Sequence, residues 1–109
     1  MSQEFSNRVV LVTGGSRGIG RAISVALGRE GAKVAINYVK NSAAALSTLA
    51  DVEDAGGSGG AYQADVSNEP DVQRMARDIE SSLGPIDMLV TSAGIAKAQN
   101  HRDLTFQPV

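Results

Sequence analysis

Aliphatic runs alternate along the chain with segments whose apolar residues recur at helical spacing. Residues 8–13 are a β-branched run ending in a glycine cluster, which is typical of a strand buried on both faces of a parallel sheet. The next segment predicts an amphipathic helix that ends at Gly31. Its predicted apolar face consists of Ile19, Ile23, Ala26 and Leu27.

The same alternation follows Gly31. Residues 33–37 predict a second strand, and Asn41 or Ser42 can cap an Ala/Leu-rich helix that runs to about Ala55. A strand and a helix have therefore been repeated once.

Four glycines and a serine at residues 56–60 predict a flexible loop, followed by a short third strand at 61–64. Ser67 is the predicted cap of a third helix, which ends at Gly84-Pro85. Its apolar stripe is Val72, Met75, Ala76, Ile79 and Leu83. Residues 86–91 predict a fourth strand.

Four strands alternating with three helices predict a Rossmann-type doubly wound α/β fold with a parallel sheet. The sequence turns polar beyond Gly94 and stops at Val109, where a further helix and further strands are expected. We therefore expect residues 1–109 to be the N-terminal part of one domain, with one side of the fourth strand unpaired.

Composition excludes several functional classes. The chain has 109 residues, 42% hydrophobic and 20% charged, enough to form the core of one domain. Its net charge of -2 favours neither a nucleic-acid nor a membrane partner. With no cysteine and one histidine, a disulfide framework and a zinc site are not expected. The absence of a long apolar run predicts a cytoplasmic protein.

The strongest functional signal is the loop Thr-Gly-Gly-Ser-Arg-Gly-Ile-Gly at residues 13–20, between the first strand and the first helix. Ligands of parallel sheets bind at this edge, where a helix N-terminus offers N–H groups to a phosphate. Gly14 allows the tight turn, Gly18 gives a pyrophosphate access to the backbone, and Gly20 lets the helix pack closely on the sheet. We expect a phosphate-containing ligand.

A nucleoside triphosphatase is disfavoured. Gly15 and Gly20 fit the first half of a Walker A pattern, but Arg21 and Ala22 follow where Lys and Ser or Thr are needed.

The loop resembles the T-G-x-x-x-G-x-G signature of the short-chain dehydrogenase/reductase family, and its amino-acid sequence is most similar to that of 3-oxoacyl-(acyl carrier protein) reductases. Asn37-Tyr38, Asp65-Val66 and Ser92-Ala93-Gly94 match the family after the second, third and fourth strands. One departure matters: the family usually has Asn-Asn-Ala-Gly where this chain has Thr91-Ser92-Ala93-Gly94. The second asparagine of that motif usually braces the central strand, and Ser92 replaces it here.

This resemblance implies roles for several residues in binding a dinucleotide. Asp65 would accept a hydrogen bond from the adenine amino group, and the N–H of Val66 would face the ring edge. The N–H of Ile19 would bind the pyrophosphate, while Ala93 and Gly94 would line the adenosine ribose.

The end of the second strand predicts which nicotinamide cofactor binds. NAD-preferring enzymes place an acidic side chain there, whereas this chain has Asn37, Tyr38 and Lys40. Arg17 can pair with a 2′-phosphate, with the Ser16 hydroxyl and the Asn37 amide as neutral donors. The prediction is NADP(H), and Lys40 is interpreted as a solvated surface residue.

The family takes its catalytic proton from a Tyr-x-x-x-Lys pair. Neither tyrosine here belongs to such a pair, because Ser42 follows Tyr38 and Val66 follows Tyr62 at that spacing. No catalytic residue is assigned, and we expect the chain alone to be inactive. For the complete protein the resemblance implies hydride transfer to a small carbonyl compound or an acyl thioester, and a homotetramer.

Two alternatives remain open. The first is a non-catalytic nucleotide-binding module, which would need the glycine loop and the other binding residues but not the Tyr-x-x-x-Lys pair that this chain lacks. An S-adenosylmethionine-dependent methyltransferase fits less well, because it also requires an acidic residue near Asn37.

Overall fold

The computed structural model describes residues 5–91, 94–100 and 105–108. The strands are β1 (Val9–Val12), β2 (Lys33–Tyr38), β3 (Ser58–Gln63), β4 (Met88–Thr91), β5 (Gly94–Asn100) and β6 (Thr105–Pro108). The helices are α1 (Gly18–Arg29), α2 (Ser42–Asp54) and α3 (Glu69–Ser82). The first four strands are parallel in the order β3-β2-β1-β4, which confirms the predicted Rossmann-type fold.

The sheet is buried on both faces. Successive β1 residues point to opposite sides, as in any strand. Val10 belongs to the cluster that contains Leu27 of α1, and Val9 to the cluster that contains Ile79 of α3. Helices α1 and α2 therefore cover one face and α3 the other, which is why β1 has no polar residue.

Helix α1 buries only part of the predicted apolar face, because Leu27 is buried and Ile23 packs against the core. Ser24 and Gly28 are buried with Leu27, whereas Ile19 is 79% exposed and Ala26 is also exposed. A Cβ on Gly28 would lie 2.9 Å from the carbonyl oxygen of Val52 in α2. Because the helices approach so closely, small residues occupy the contact in place of the larger apolar ones that the periodicity favoured.

The sequence predicts a flexible loop at residues 56–60, and this prediction is wrong for most of the segment. Strand β3 begins at Ser58, and Gly59 pairs with Val34 of β2. A Cβ on Gly59 would lie 1.9 Å from the Val34 carbonyl oxygen, so a residue without a side chain lets the two strands meet.

The prediction that one side of β4 is unpaired is also wrong. Strand β5 pairs with it in antiparallel register, Val90 opposite Ile95, and β6 pairs antiparallel with β5. Strand β5 begins at Gly94, in the segment where the sequence turns polar. Backbone N–H and C=O groups form this ladder, so the polar sequence does not prevent it. Among the described helices, none has the length and apolar character needed to cross a membrane.

Candidate functional site

A cleft of about 880 Å³ lies at the carboxyl ends of β1, β2 and β4. It brings together eight of the predicted site residues, Gly14, Ser16, Arg17, Ile19, Gly20, Asn37, Tyr38 and Val66. Gly18 and Asp65 do not line it, although each is adjacent in sequence to a residue that does. Gly94 is the first residue of β5, and Ala93 lies outside the described residues. The predicted edge of the sheet therefore carries a cavity.

Two kinds of constraint require glycine in the loop of residues 13–20, which we call the glycine loop. Gly14 and Gly18 have φ angles of 64° and 57°, in the region that favours glycine. Gly20 is required for space instead, because a Cβ there would lie 2.2 Å from the Gly14 carbonyl oxygen. The close contact of Gly20 is thus with the backbone of the loop itself, whereas the sequence predicted a contact with the sheet.

Asn37 ties the glycine loop to the sheet. Its side chain is 2% exposed; Nδ2 donates to the Ala64 carbonyl at 3.1 Å, and Oδ1 accepts from the Gly14 N–H at 3.4 Å. The Gly15 N–H donates to the Asn37 carbonyl at 3.2 Å. The amide predicted to face a 2′-phosphate is therefore engaged within the fold, which points to a role in positioning the loop.

The amino end of α1 faces the cleft without a capping side chain. Arg17 is the N-cap residue; its side chain makes no capping hydrogen bond, and the first turn contains no acidic residue. The N–H groups and the positive end of the helix dipole are thus not neutralised by α1 itself. No Cβ-sized obstacle lies within 4 Å of Gly14 or Gly18 on the side where a side chain would project. These features fit a bound diphosphate.

The charged residues that line the cleft are cationic in the part of the chain that the structure describes. They are Arg17 and Lys40, and no described lining residue is a carboxylate. Sequence reasoning treated Lys40 as surface alone, whereas the structure places it both exposed and at the cleft, with Val39 and Asn41 beside it. Val39, Lys40 and Asn41 directly follow β2, and this position in the sequence could have predicted that they lie at the cleft.

Asp65 lies in a hydrogen-bonded turn between β3 and α3. Its Oδ1 accepts from the Ser67 hydroxyl at 2.6 Å and the Ser67 N–H at 2.9 Å. These two bonds hold the pKa of Asp65 below its usual value. The cap of α3 is Asn68, whose Oδ1 accepts from the Asp71 N–H at 3.0 Å. Ser67, the predicted cap, closes the turn instead.

Asp71 fastens this turn to α3. Its Oδ2 accepts from the Asp65 N–H at 2.8 Å, and its Oδ1 from Arg74 at 3.0 Å. The Asp65 N–H, followed by Arg74, lowers the pKa of Asp71. The turn that carries Val66 to the cleft thus depends on two ionised carboxylates.

Thr48 is a supporting residue that the sequence analysis missed. It is fully buried in α2, and its hydroxyl donates to the Ser16 carbonyl at 3.1 Å. The buried residues of α2 are Ala45, Thr48 and Val52. A polar residue at helical spacing among apolar ones is the sequence feature that could have indicated a buried hydrogen bond at Thr48. In the part of the chain that the structure describes, no group of three metal-ligating side chains occurs.

Residues 8–109 match the family model of short chain dehydrogenases. The short-chain dehydrogenase/reductase homolog YusS of Bacillus subtilis (strain 168) is 44% identical over 91 residues, which are 84% of this chain and 84% of that protein. The 3-oxoacyl-(acyl-carrier-protein) reductase FabG of Staphylococcus epidermidis is 40% identical over 91 residues, covering 84% of this chain but 37% of that protein.

The solved structure of the NADH-dependent reductase A1-R′ complexed with NAD superposes with a TM-score of 0.78 and 30% sequence identity, covering 84% of this chain and 38% of that one. The parallel sheet and the glycine loop at the cleft define a Rossmann-type α/β protein of the nucleotide-binding class. The chain belongs to the short-chain dehydrogenase/reductase family. Family and NAD-complexed neighbour together support a nicotinamide dinucleotide as the ligand class.

Replacing Gly20 with Ala should disrupt the loop more than replacing Gly18. At Gly20 the new methyl group meets the Gly14 carbonyl at 2.2 Å, and overpacking of this kind costs about 3 kcal/mol of unfolding free energy. At Gly18 only the positive φ is unfavourable, which costs roughly 1–2 kcal/mol. Urea unfolding of both variants measures the difference, and an equal or reversed order would contradict it.

The β3–α3 turn should loosen in acid. Both Asp65 and Asp71 have pKa values lowered from 3.8, so their contribution to stability is complete above pH 3.8 and is lost as the pH falls through the lowered values. A carboxyl-carbon NMR titration should give midpoints below 3.8 for both groups. Asp71→Asn should lower the midpoint of Asp65 slightly, because the Asp71 charge raises that pKa while the two Ser67 hydrogen bonds supply the main lowering. A midpoint at or above the ordinary value in the unmodified chain would contradict the hydrogen-bonded turn.

Proposed function

We propose that the cleft binds NADP(H) and that the complete protein transfers a hydride between the nicotinamide and a carbonyl or alcohol group. Residues 1–109 would then be the N-terminal part of one NADP-binding domain. The observation that carries the choice of NADP(H) is the charge of the lining, because its described residues include Arg17 and Lys40 and no carboxylate. NADP(H) differs from NAD(H) by an anionic phosphate on the adenosine ribose, which such a lining attracts.

Different residues of the glycine loop would bind different phosphate groups of this ligand. The N–H groups of Gly18, Ile19 and Gly20 begin α1 and would hold the pyrophosphate. Arg17 and the Ser16 hydroxyl, directly before them, would hold the 2′-phosphate. Asn37 would act on both groups indirectly, by fixing the loop through its bonds to Gly14 and Ala64.

The adenosine would lie across the ends of β2 and β3. Tyr38 and Val66 line this part of the cleft, and Val66 is 51% exposed. Both Ser67 bonds to Asp65 use Oδ1, so Oδ2 would serve the adenine amino group. Gly94 and Ala93, after β4, would complete the ribose site.

The substrate that we propose is a 3-oxoacyl thioester or another small carbonyl compound. Its support is the 40% identity to a 3-oxoacyl-(acyl-carrier-protein) reductase and the amino-acid sequence of the glycine loop. A homotetramer remains a prediction for the complete protein.

Arg17→Ala should weaken NADP(H) binding while leaving NAD(H) binding almost unchanged. A charge-assisted hydrogen bond contributes about 1.5–3 kcal/mol, so the dissociation constant for NADP(H) should rise roughly 10- to 150-fold. Isothermal titration with both cofactors measures this.

Arg29→Ala is the matched control, because Arg29 is exposed in the last turn of α1 and does not line the cleft. It should leave both dissociation constants unchanged. Equal losses for the two cofactors in Arg17→Ala would remove the basis for NADP(H).

The chain alone should bind the cofactor without turning it over. Tyr38 and Tyr62 are its only tyrosines and neither is followed by Lys at the fourth position, so the general acid of the family reaction is missing. NADPH absorbance at 340 nm should stay constant with a 3-oxoacyl thioester present. Carbonyl-dependent oxidation by the purified chain would overturn this.

A non-catalytic nucleotide-binding module is the second candidate. Its support is the match to YusS, which covers the same 84% share of both chains. The intact mass of the protein isolated from its source cells, together with the cofactor assay, separates the two functions. A longer product with a Tyr-x-x-x-Lys pair favours the reductase.

A further inference from the structure

One buried hydroxyl connects α2 to the glycine loop. Thr48 has no exposed surface, and its Oγ1 lies 3.1 Å from the carbonyl oxygen of Ser16 and 3.0 Å from that of Ala44. A threonine hydroxyl has one proton, so the two carbonyls share it. The bond to Ala44 is the ordinary bond of a helical threonine to the preceding turn, whereas the bond to Ser16 joins residues 32 positions apart.

The acceptor is well placed to affect the next residue. Ser16 is itself 9% exposed, so its carbonyl has little access to water. The peptide unit is planar, and fixing the Ser16 carbonyl therefore fixes the Arg17 N–H and the position of the Arg17 Cα, from which the side chain leaves the backbone. Arg17 lines the cleft, whereas Thr48 does not.

The remainder of the loop is held by other contacts. Gly20 lies against the Gly14 carbonyl, and Asn37 bonds to the N–H of Gly14. Loss of the Thr48 hydroxyl should therefore disturb residues 16–17 more than the helix N-terminus at residues 18–20.

We propose that Thr48 is a positioning residue for cofactor selectivity: its hydroxyl holds the Ser16–Arg17 peptide in the orientation that recognises the 2′-phosphate of NADP(H). This inference rests on the proposed function. It assigns selectivity to a buried position of α2, one layer behind the residues that would touch the ligand.

The test is Thr48→Val, which keeps the shape of the side chain and removes the hydroxyl. The dissociation constants of NADP(H) and NAD(H), and of adenosine 2′,5′-bisphosphate and adenosine 5′-monophosphate, are measured for each variant. The preference for the 2′-phosphorylated member of each pair should fall about 10-fold, the equivalent of one lost hydrogen bond to a buried carbonyl. Binding of the unphosphorylated members should change less than about 2-fold.

Two control variants isolate the hydroxyl. Thr48→Ser keeps a donor at the same position and should restore the preference. Ser47→Ala removes the neighbouring hydroxyl, which lies 3.4 Å from Arg21 and not at the loop, and should leave the preference unchanged.

The outcomes separate this inference from the function beneath it. If the unmodified chain binds neither NADP(H) nor the bisphosphate, the proposed cofactor is wrong and the inference falls with it. If the unmodified chain prefers NADP(H) and Thr48→Val lowers thermal stability without changing the preference, Thr48 is only structural and the inference alone is overturned. If Thr48→Val does not fold, Thr48→Cys retains a weak donor; it should give an intermediate preference, and an unchanged one counts against the proposal.

Discussion

The close contact between the start of α1 and the loop before it is the constraint on which the rest of the site depends. Gly20 lies so near the Gly14 carbonyl that a Cβ would be 2.2 Å from the oxygen. This contact folds the helix back onto the chain that leaves β1 and directs its first N–H groups toward the cleft. A side chain at Gly20 would therefore push the start of α1 away from the loop.

Three neighbouring elements hold the loop in this shape. Thr13 donates its N–H to the Val90 carbonyl of β4 at 3.0 Å, Asn37 contacts the loop from β2, and Thr48 contacts it from α2. The bonds come from opposite sides, so the loop cannot move toward one without lengthening another. The site is therefore pre-organised by backbone carbonyls and N–H groups, which leaves the exposed side chains of Arg17 and Lys40 for the ligand.

The parts of this arrangement that follow from short-range patterns could be predicted from the sequence. Continuous apolar β1 and the glycine spacing after it indicated the parallel sheet and the site at its edge. Thr48 could not be predicted in its role, because a threonine in an alanine-rich helix reveals its acceptor only when Ser16, 32 residues away, is placed in space. The same limit explains β3, because the glycine-rich segment 56–60 is typical of a loop until the Val34 backbone is known to lie against Gly59.

Cofactor preference is a property that similarity of fold does not carry. The NADH-dependent neighbour shares the backbone arrangement at a TM-score of 0.78, yet a single charge-assisted hydrogen bond of about 1.5–3 kcal/mol changes a binding constant by one to two orders of magnitude. That amount depends on one or two side chains after β2 and before α1, and their replacement leaves the sheet unaltered. With 30% identity to this neighbour, the proposed choice of cofactor therefore rests on the local charges of Arg17 and Lys40 and not on the superposition. If NADP(H) is the cofactor, the same reasoning would make the orientation of the Ser16–Arg17 peptide, and hence α2 behind it, part of the specificity of the site.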